Sequence, residues 1–277
     1  RAAVLLEGYN WFKDNTSGAM PTEDDVVDFY KKIEGLGDSG QRNFVHENIT
    51  RQVVDMFTSL EQYNAELEDN TRSTSGKRSQ MCGKKSLTPL SELCGFSLQT
   101  KPSGIDGAGD GLFVTCASDS MIYPGTVLGF MPGLVYLKEH LNTKEKVNAL
   151  FPDDDLMLMT RTDGIIIDSR TAHQVPANPF ALGHYVNHPP SSSEPNVLRA
   201  SFDFEQDPFG ISEFPKHLRH LIPNGFASER TYLGSPDRTA YMHTIVLIAA
   251  KPLSSGDELL LDYRLNPGMP DRLPVWY

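Results

Sequence analysis

Cysteine is scarce in this chain. Three thiols in 277 residues, Cys82, Cys94 and Cys116, are an odd number at wide spacings. That excludes a disulfide framework and a clustered zinc-ligand pattern, and a reducing intracellular compartment is the simplest inference. Long apolar runs are missing as well. The longest, Thr244 to Ala250, has the length of a buried strand and falls well short of the about 18 residues a membrane span needs. Positive charge is in deficit, with 25 Lys and Arg against 36 Asp and Glu and a net charge of −11. A general nucleic-acid binder needs basic surface for phosphate contacts, so direct nucleic-acid binding is not expected. The acidic balance leaves two readings: ordinary solubilising charge, or a surface that attracts basic partners such as lysine-rich tails. There is no internal repeat. Nor do strands alternate with long helices, which excludes a doubly wound nucleotide-binding fold.

What is present divides by texture. Residues 1–68 read as a helical N-terminal region. Thr22 and Asp25 after Pro21 have capping-box spacing, with Val26, Phe29, Tyr30 and Ile33 following at helical period. Gly35 and Gly37 stop that helix. A second helix is expected from about His46 to Leu67, its apolar face made by Ile49, Val53, Met56, Phe57, Leu60, Tyr63 and Leu67. Residues 69–86 are polar, with Arg72, Lys77, Arg78, Lys84 and Lys85, and read as a flexible linker. From 87 to 266 short β-like runs alternate with Gly, Pro and Asp: 112–115, 126–130, 156–160, 164–167, 197–204 and 243–250. Such a pattern predicts a mainly β domain of small sheets. Residues 267–277 form a C-terminal tail in which Trp276 and Tyr277 stand out.

Three motifs carry chemistry. Gly107-Ala108-Gly109-Asp110-Gly111, followed by a β-like run, offers backbone that a ligand can approach closely. It is no dinucleotide fingerprint, because that motif opens a helix. Gly183-His184-Tyr185-Val186-Asn187-His188 is followed, after a Pro-Ser insert, by Glu194-Pro195-Asn196-Val197. Gly256-Asp257-Glu258-Leu259-Leu260-Leu261-Asp262-Tyr263 closes the series after a strand and turn. Asp153-Asp154-Asp155 reads as an acidic loop, and His217 and His220 as surface histidines without a third ligand at a recognisable spacing.

In this order, over roughly residues 95–266, the motifs resemble the SET-domain signature. Details such as Pro132-Gly133-Leu134-Val135-Tyr136, Asn178-Pro179 and Phe214-Pro215 are similar to the SET domain-containing protein 9 subgroup. The resemblance implies an α+β fold, the SET-domain β-clip with small sheets and a pseudoknot in which the Asn187 segment threads under the final motif, preceded by the helical region. It implies S-adenosylmethionine as cofactor, bound by Gly109, Gly111, Tyr185, Asn187, His188 and Asp262, with Tyr263 at the transfer site and no metal. The partner would be a lysine-containing protein or peptide, without a membrane.

The chain departs from the family pattern in places. Asn187-His188 runs into Pro189-Pro190 where Ser-Cys is usual, and His184 stands where a basic residue is often found. No Cys-x-Cys cluster follows Tyr263 in this sequence, so a zinc-binding post-SET module is not expected. Two functions stay open at this level: a protein-lysine N-methyltransferase, or a catalytically inactive SET-fold subunit of a larger protein assembly.

Overall fold

In the computed structural model of the chain, residues 1–15, 19–75, 88–117, 120–137, 141, 157–205, 214–227 and 241–263 are described. Cys82, the acidic run 153–155, most of the expected linker, and the tail with Trp276 and Tyr277 lie outside them. The fold is mixed α+β with small sheets, as the sequence implies. Helices α1 (Ala2–Asp14), α2 (Glu23–Glu34) and α3 (Gly37–Ser75) come first, then the short α4 (Leu90–Cys94). The strands follow: β1 (Phe96–Pro102), β2 (Asp110–Cys116), β3 (Val127–Phe130), β4 (Gly133–Tyr136), β5 (Leu158–Thr160), β6 (Ile166–Asp168), β7 (Val197–Glu205), β8 (Asn224–Phe226) and β9 (Tyr241–Ala249). They form three sheets, β1-β2, β3-β9-β7 and β5-β6-β4-β8.

The expected capping box is present. Thr22 Oγ1 accepts from Asp25 N at 3.2 Å, and the Asp25 carboxylate accepts from Thr22 N at 2.8 Å. The apolar stripe of α2 is narrower than its period implies: Phe29 and Ile33 are buried, whereas Val26 and Tyr30 are exposed. The helix lies on the surface and packs mainly through one edge against α1, where Phe29 meets Trp11 and Gly8. Helix α3 is longer than the expected 46–67 at both ends, and its Leu67 is exposed rather than part of the buried face.

The helices share one core with the sheets. Ile49, Val53, Met56, Phe57 and Leu60 of α3 lie in the same buried cluster as β3, β7 and β9. Phe57 sits among Phe130, Phe204 and Phe214, with ring centroids 5.4 to 6.0 Å apart. Burial of large aromatics in such offset and edge contacts is among the strongest packing terms available. A polar staple joins the same layers. Gln52, buried in α3, donates from Nε2 to Gly125 O (3.0 Å) and accepts at Oε1 from Val127 N (2.8 Å). Both backbone groups would otherwise be buried without partners, which is costly.

Each β-like run of the sequence contains a strand. β1, β4 and β8 are additional, β1 because its polar side chains give no alternation. Among the described residues no helix is long and apolar enough to cross a membrane.

Candidate functional site

The last motif is held between two distant parts of the chain. On one side it runs antiparallel to β2: Gly256 N donates to Val114 O (2.8 Å), Val114 N to Asp257 O (3.1 Å) and Leu259 N to Leu112 O (2.7 Å). On the other it runs parallel to the segment after the 3₁₀ turn Gly183–Tyr185. There Leu261 N donates to Asn187 O (2.9 Å), and at the start of β7 Val197 N donates to Leu260 O (3.1 Å). Asn196 completes the join, accepting from Leu260 N (2.7 Å) and donating to Glu258 O (2.8 Å). The Gly-rich turn, the Asn-His segment and the final motif therefore meet, as the family resemblance implies.

Side chains reinforce the junction. Tyr263 Oη donates to Val186 O at 2.6 Å, and Tyr263 N donates to His188 Nδ1 at 3.2 Å. A neutral His188 that accepts at Nδ1 carries its proton on Nε2. Burial pushes the Tyr263 phenol up to about 12, because a phenolate would lose its hydration there. Asn187 and His188 are both 7% exposed. Asn187 Nδ2 donates to Asp110 O (3.1 Å) and to Glu258 Oε1 (3.2 Å). Among the described residues nothing donates to its Oδ1.

The two glycines play different parts. Gly109 has φ of +75° and open space where a Cβ would stand. Gly111 instead lies against Glu258: a Cβ there would collide with Oε1 and lie 2.9 Å from Cδ. Glu258 also accepts from Ser103 Oγ (2.6 Å) and Gly104 N (2.9 Å). Sequence reasoning passed over Glu258, Ser103 and Asn196, and its signal was indirect, a glycine and an acid each inside a recognised motif but 147 positions apart.

Two expected site residues stand aside. Asp262 is exposed and borders a cavity of about 200 Å³ with Pro195, Val197 and Arg199, which none of the other expected site residues lines. Tyr185 packs on the core with its ring 4.3 Å from that of His184. Burial holds the His184 imidazole below its usual value, and among the described residues its Nδ1 has no hydrogen-bond partner. His217 and His220 are exposed, with Nε2 atoms 4.0 and 3.9 Å from the Glu61 carboxylate. Among the described residues no group of three or more His, Cys, Asp or Glu is placed to hold a metal ion.

No protein-family model and no curated protein matches the chain. Among solved structures it is similar to the crystal structure of KRYPTONITE in complex with mCHH DNA, H3(1-15) peptide and SAH. The identity is 15% and the TM-score 0.34, and the match covers 62% of this chain and 24% of the other, so the match takes in about a quarter of that neighbour's length. A likeness this slight carries no weight for function, and it does not bear on the narrower subgroup.

Proposed function

We propose that the chain is a SET-domain protein-lysine N-methyltransferase that uses S-adenosylmethionine. The observation that carries the reading is the junction itself: the Gly-rich turn, Asn187 and Tyr263, remote in sequence, converge around one final motif. The residues present suit the cofactor. Asn187 is buried, and its one remaining hydrogen-bonding atom, Oδ1, is an acceptor of the kind an α-ammonium group requires. Gly109, with open space beside its Cα, gives a bulky ligand close access to backbone. Asn187, His188 and the backbone at Gly109 are the groups we assign to holding it.

When bound, the cofactor supplies an electrophilic methyl group on a sulfonium. The protein must present a lysine amine in its neutral form, and free lysine has a pKa of about 10.4. Tyr263 cannot act as the base near neutral pH, because its phenol stays protonated to about 12. The cause of that shift supplies the alternative. Surroundings that disfavour a phenolate by desolvation also disfavour an ammonium ion, and so lower the lysine pKa. The Tyr263 hydroxyl, anchored by donation to Val186 O, keeps lone pairs to orient the amine. Alignment of amine and methyl would supply most of the rest, up to roughly 7–11 kcal/mol in well-oriented systems. Net charge of −11 favours basic protein or peptide substrates.

The test is calorimetry of the whole chain with S-adenosylhomocysteine, then transfer of labelled methyl from S-adenosylmethionine to lysine-rich peptides. Absence of cofactor binding would sink the proposal. Binding without transfer, with cellular function intact in Tyr263→Phe, would favour the non-catalytic subunit.

A further inference from the structure

Glu258 is an unusual carboxylate for its place. It is partly buried in the middle of the junction, and every partner it has among the described residues is neutral: Ser103 Oγ, Gly104 N and Asn187 Nδ2. Gly111 gives it room by having no side chain. An anion in such a position is costly unless its hydrogen bonds are strong and well aimed.

Its effect falls on Asn187. That amide has two N–H donors and one carbonyl acceptor, and both donors are engaged, one by Asp110 O and one by Glu258 Oε1. Turning the amide over would set Oδ1 against those two oxygens, an acceptor against acceptors. The only orientation without that conflict leaves Oδ1 outward. Of the two groups enforcing it, Glu258 is the charged one and therefore the stronger.

We propose that Glu258 is a positioning residue that locks the Asn187 amide with its oxygen toward the ligand, while latching the 103–104 turn onto the final motif. The inference rests on the methyltransferase reading for the identity of the ligand. The oriented oxygen selects for a hydrogen-bond donor, so Glu258 governs recognition of the cofactor's amino-acid half and leaves its nucleoside half untouched. Oε1 accepts from both Ser103 Oγ and Asn187 Nδ2, and Oε2 from Gly104 N, so a glutamine can keep its oxygen toward Asn187, whereas Glu258→Ala removes the lock outright.

Two ligands decide it by calorimetry on the whole chain: S-adenosylhomocysteine, and 5′-methylthioadenosine, which lacks the amino-acid half. Glu258→Ala should weaken the first by about tenfold or more and the second by less than about twofold. Glu258→Ala should cost nothing further when Asn187→Ala is already present, since the effect passes through that amide. Unchanged binding of S-adenosylhomocysteine, an equal loss of both ligands, or additive losses would overturn the proposal. Should the Glu258 variants fail to fold, Ser103→Ala removes one donor to the carboxylate, and a loss of about two- to threefold confined to S-adenosylhomocysteine is expected. In the free protein the Asn187 Nδ2 protons should exchange slowly by NMR and become fast in Glu258→Ala, and unchanged exchange would also overturn it. If the unaltered chain binds neither ligand, the methyltransferase reading falls, and the exchange measurement alone decides the positioning role.

Discussion

Replacing Gly111 by alanine adds one methyl group at the point where the Glu258 carboxylate lies. The backbone there needs no left-handed conformation, so the cost is steric and electrostatic: Oε1 and Cδ must move away from the new Cβ. Movement breaks the bonds from Ser103 Oγ, Gly104 N and Asn187 Nδ2. Hydrogen bonds to a charged group contribute about 1.5–3 kcal/mol each, so losing all three would cost up to about 5–9 kcal/mol. The side chain is partly exposed, and water replaces some of that, so a destabilisation of about 2–4 kcal/mol is expected. Urea unfolding followed by circular dichroism measures it, with the denaturant slope unchanged. The control is Glu258→Ala, which clears the space, so that Gly111→Ala in that background should cost under about 0.5 kcal/mol. Equal cost in both backgrounds would refute the steric account. Gly109→Ala behaves differently, because its φ of +75° in open space imposes a purely conformational cost of about 1–2 kcal/mol, independent of residue 258.

Tyr263→Phe should lose about 0.5–1.5 kcal/mol of stability with the bond to Val186 O, keep S-adenosylhomocysteine affinity, and lower methyl transfer by about 10²-fold through misalignment; unchanged turnover would remove the tyrosine from the mechanism. Gln52→Leu leaves Gly125 O and Val127 N buried without partners, and a loss of about 2–4 kcal/mol by thermal or urea unfolding is expected. Burial would raise the Asp203 carboxyl, but hydrogen bonds from His243 and Arg161 outweigh it and hold the group below its ordinary 3.8. A carboxylate with a lowered folded pKa stabilises above its unfolded value and loses that contribution as pH falls through the folded one. Unfolding measured below pH 4 should therefore show an acid-dependent loss that Asp203→Asn lacks. Burial of His184 has the matching sign: its folded pKa lies below 6.5, so its contribution declines as pH falls below 6.5, and His184→Gln should flatten that part of the profile.

Periodicity reveals the helices because a helix that covers a core must repeat its apolar residues. The face from Ile49 to Leu60 is buried as the spacing implies. The same rule overreaches at Val26 and Tyr30 of α2 and Leu67 of α3, which are exposed. It falls short at the ends of α3, whose polar first and last turns carry no stripe. Strands buried in the β3-β9-β7 sheet stand out by their apolar runs, whereas β1, with Gln99, Thr100 and Lys101, looks like a loop. Motif order marks Asn187, His188 and Tyr263, which the junction brings together. Asp262 and Tyr185 belong to the same motifs, yet one faces solvent and the other the core. Ser103 and Glu258 were hidden because their bond spans 155 positions, and no local pattern encodes a contact of that separation.

Phe57 carries a consequence for how this protein can be handled. A ring borrowed from α3 fills the space between Phe130, Phe204 and Phe214, so the β region cannot be excised along the polar stretch after α3 without a hole opening at its centre. Trimmed versions beginning near residue 87 would aggregate rather than fold. A chimera that swapped the helices for another leader would meet the same obstacle unless it supplied an aromatic ring at that place.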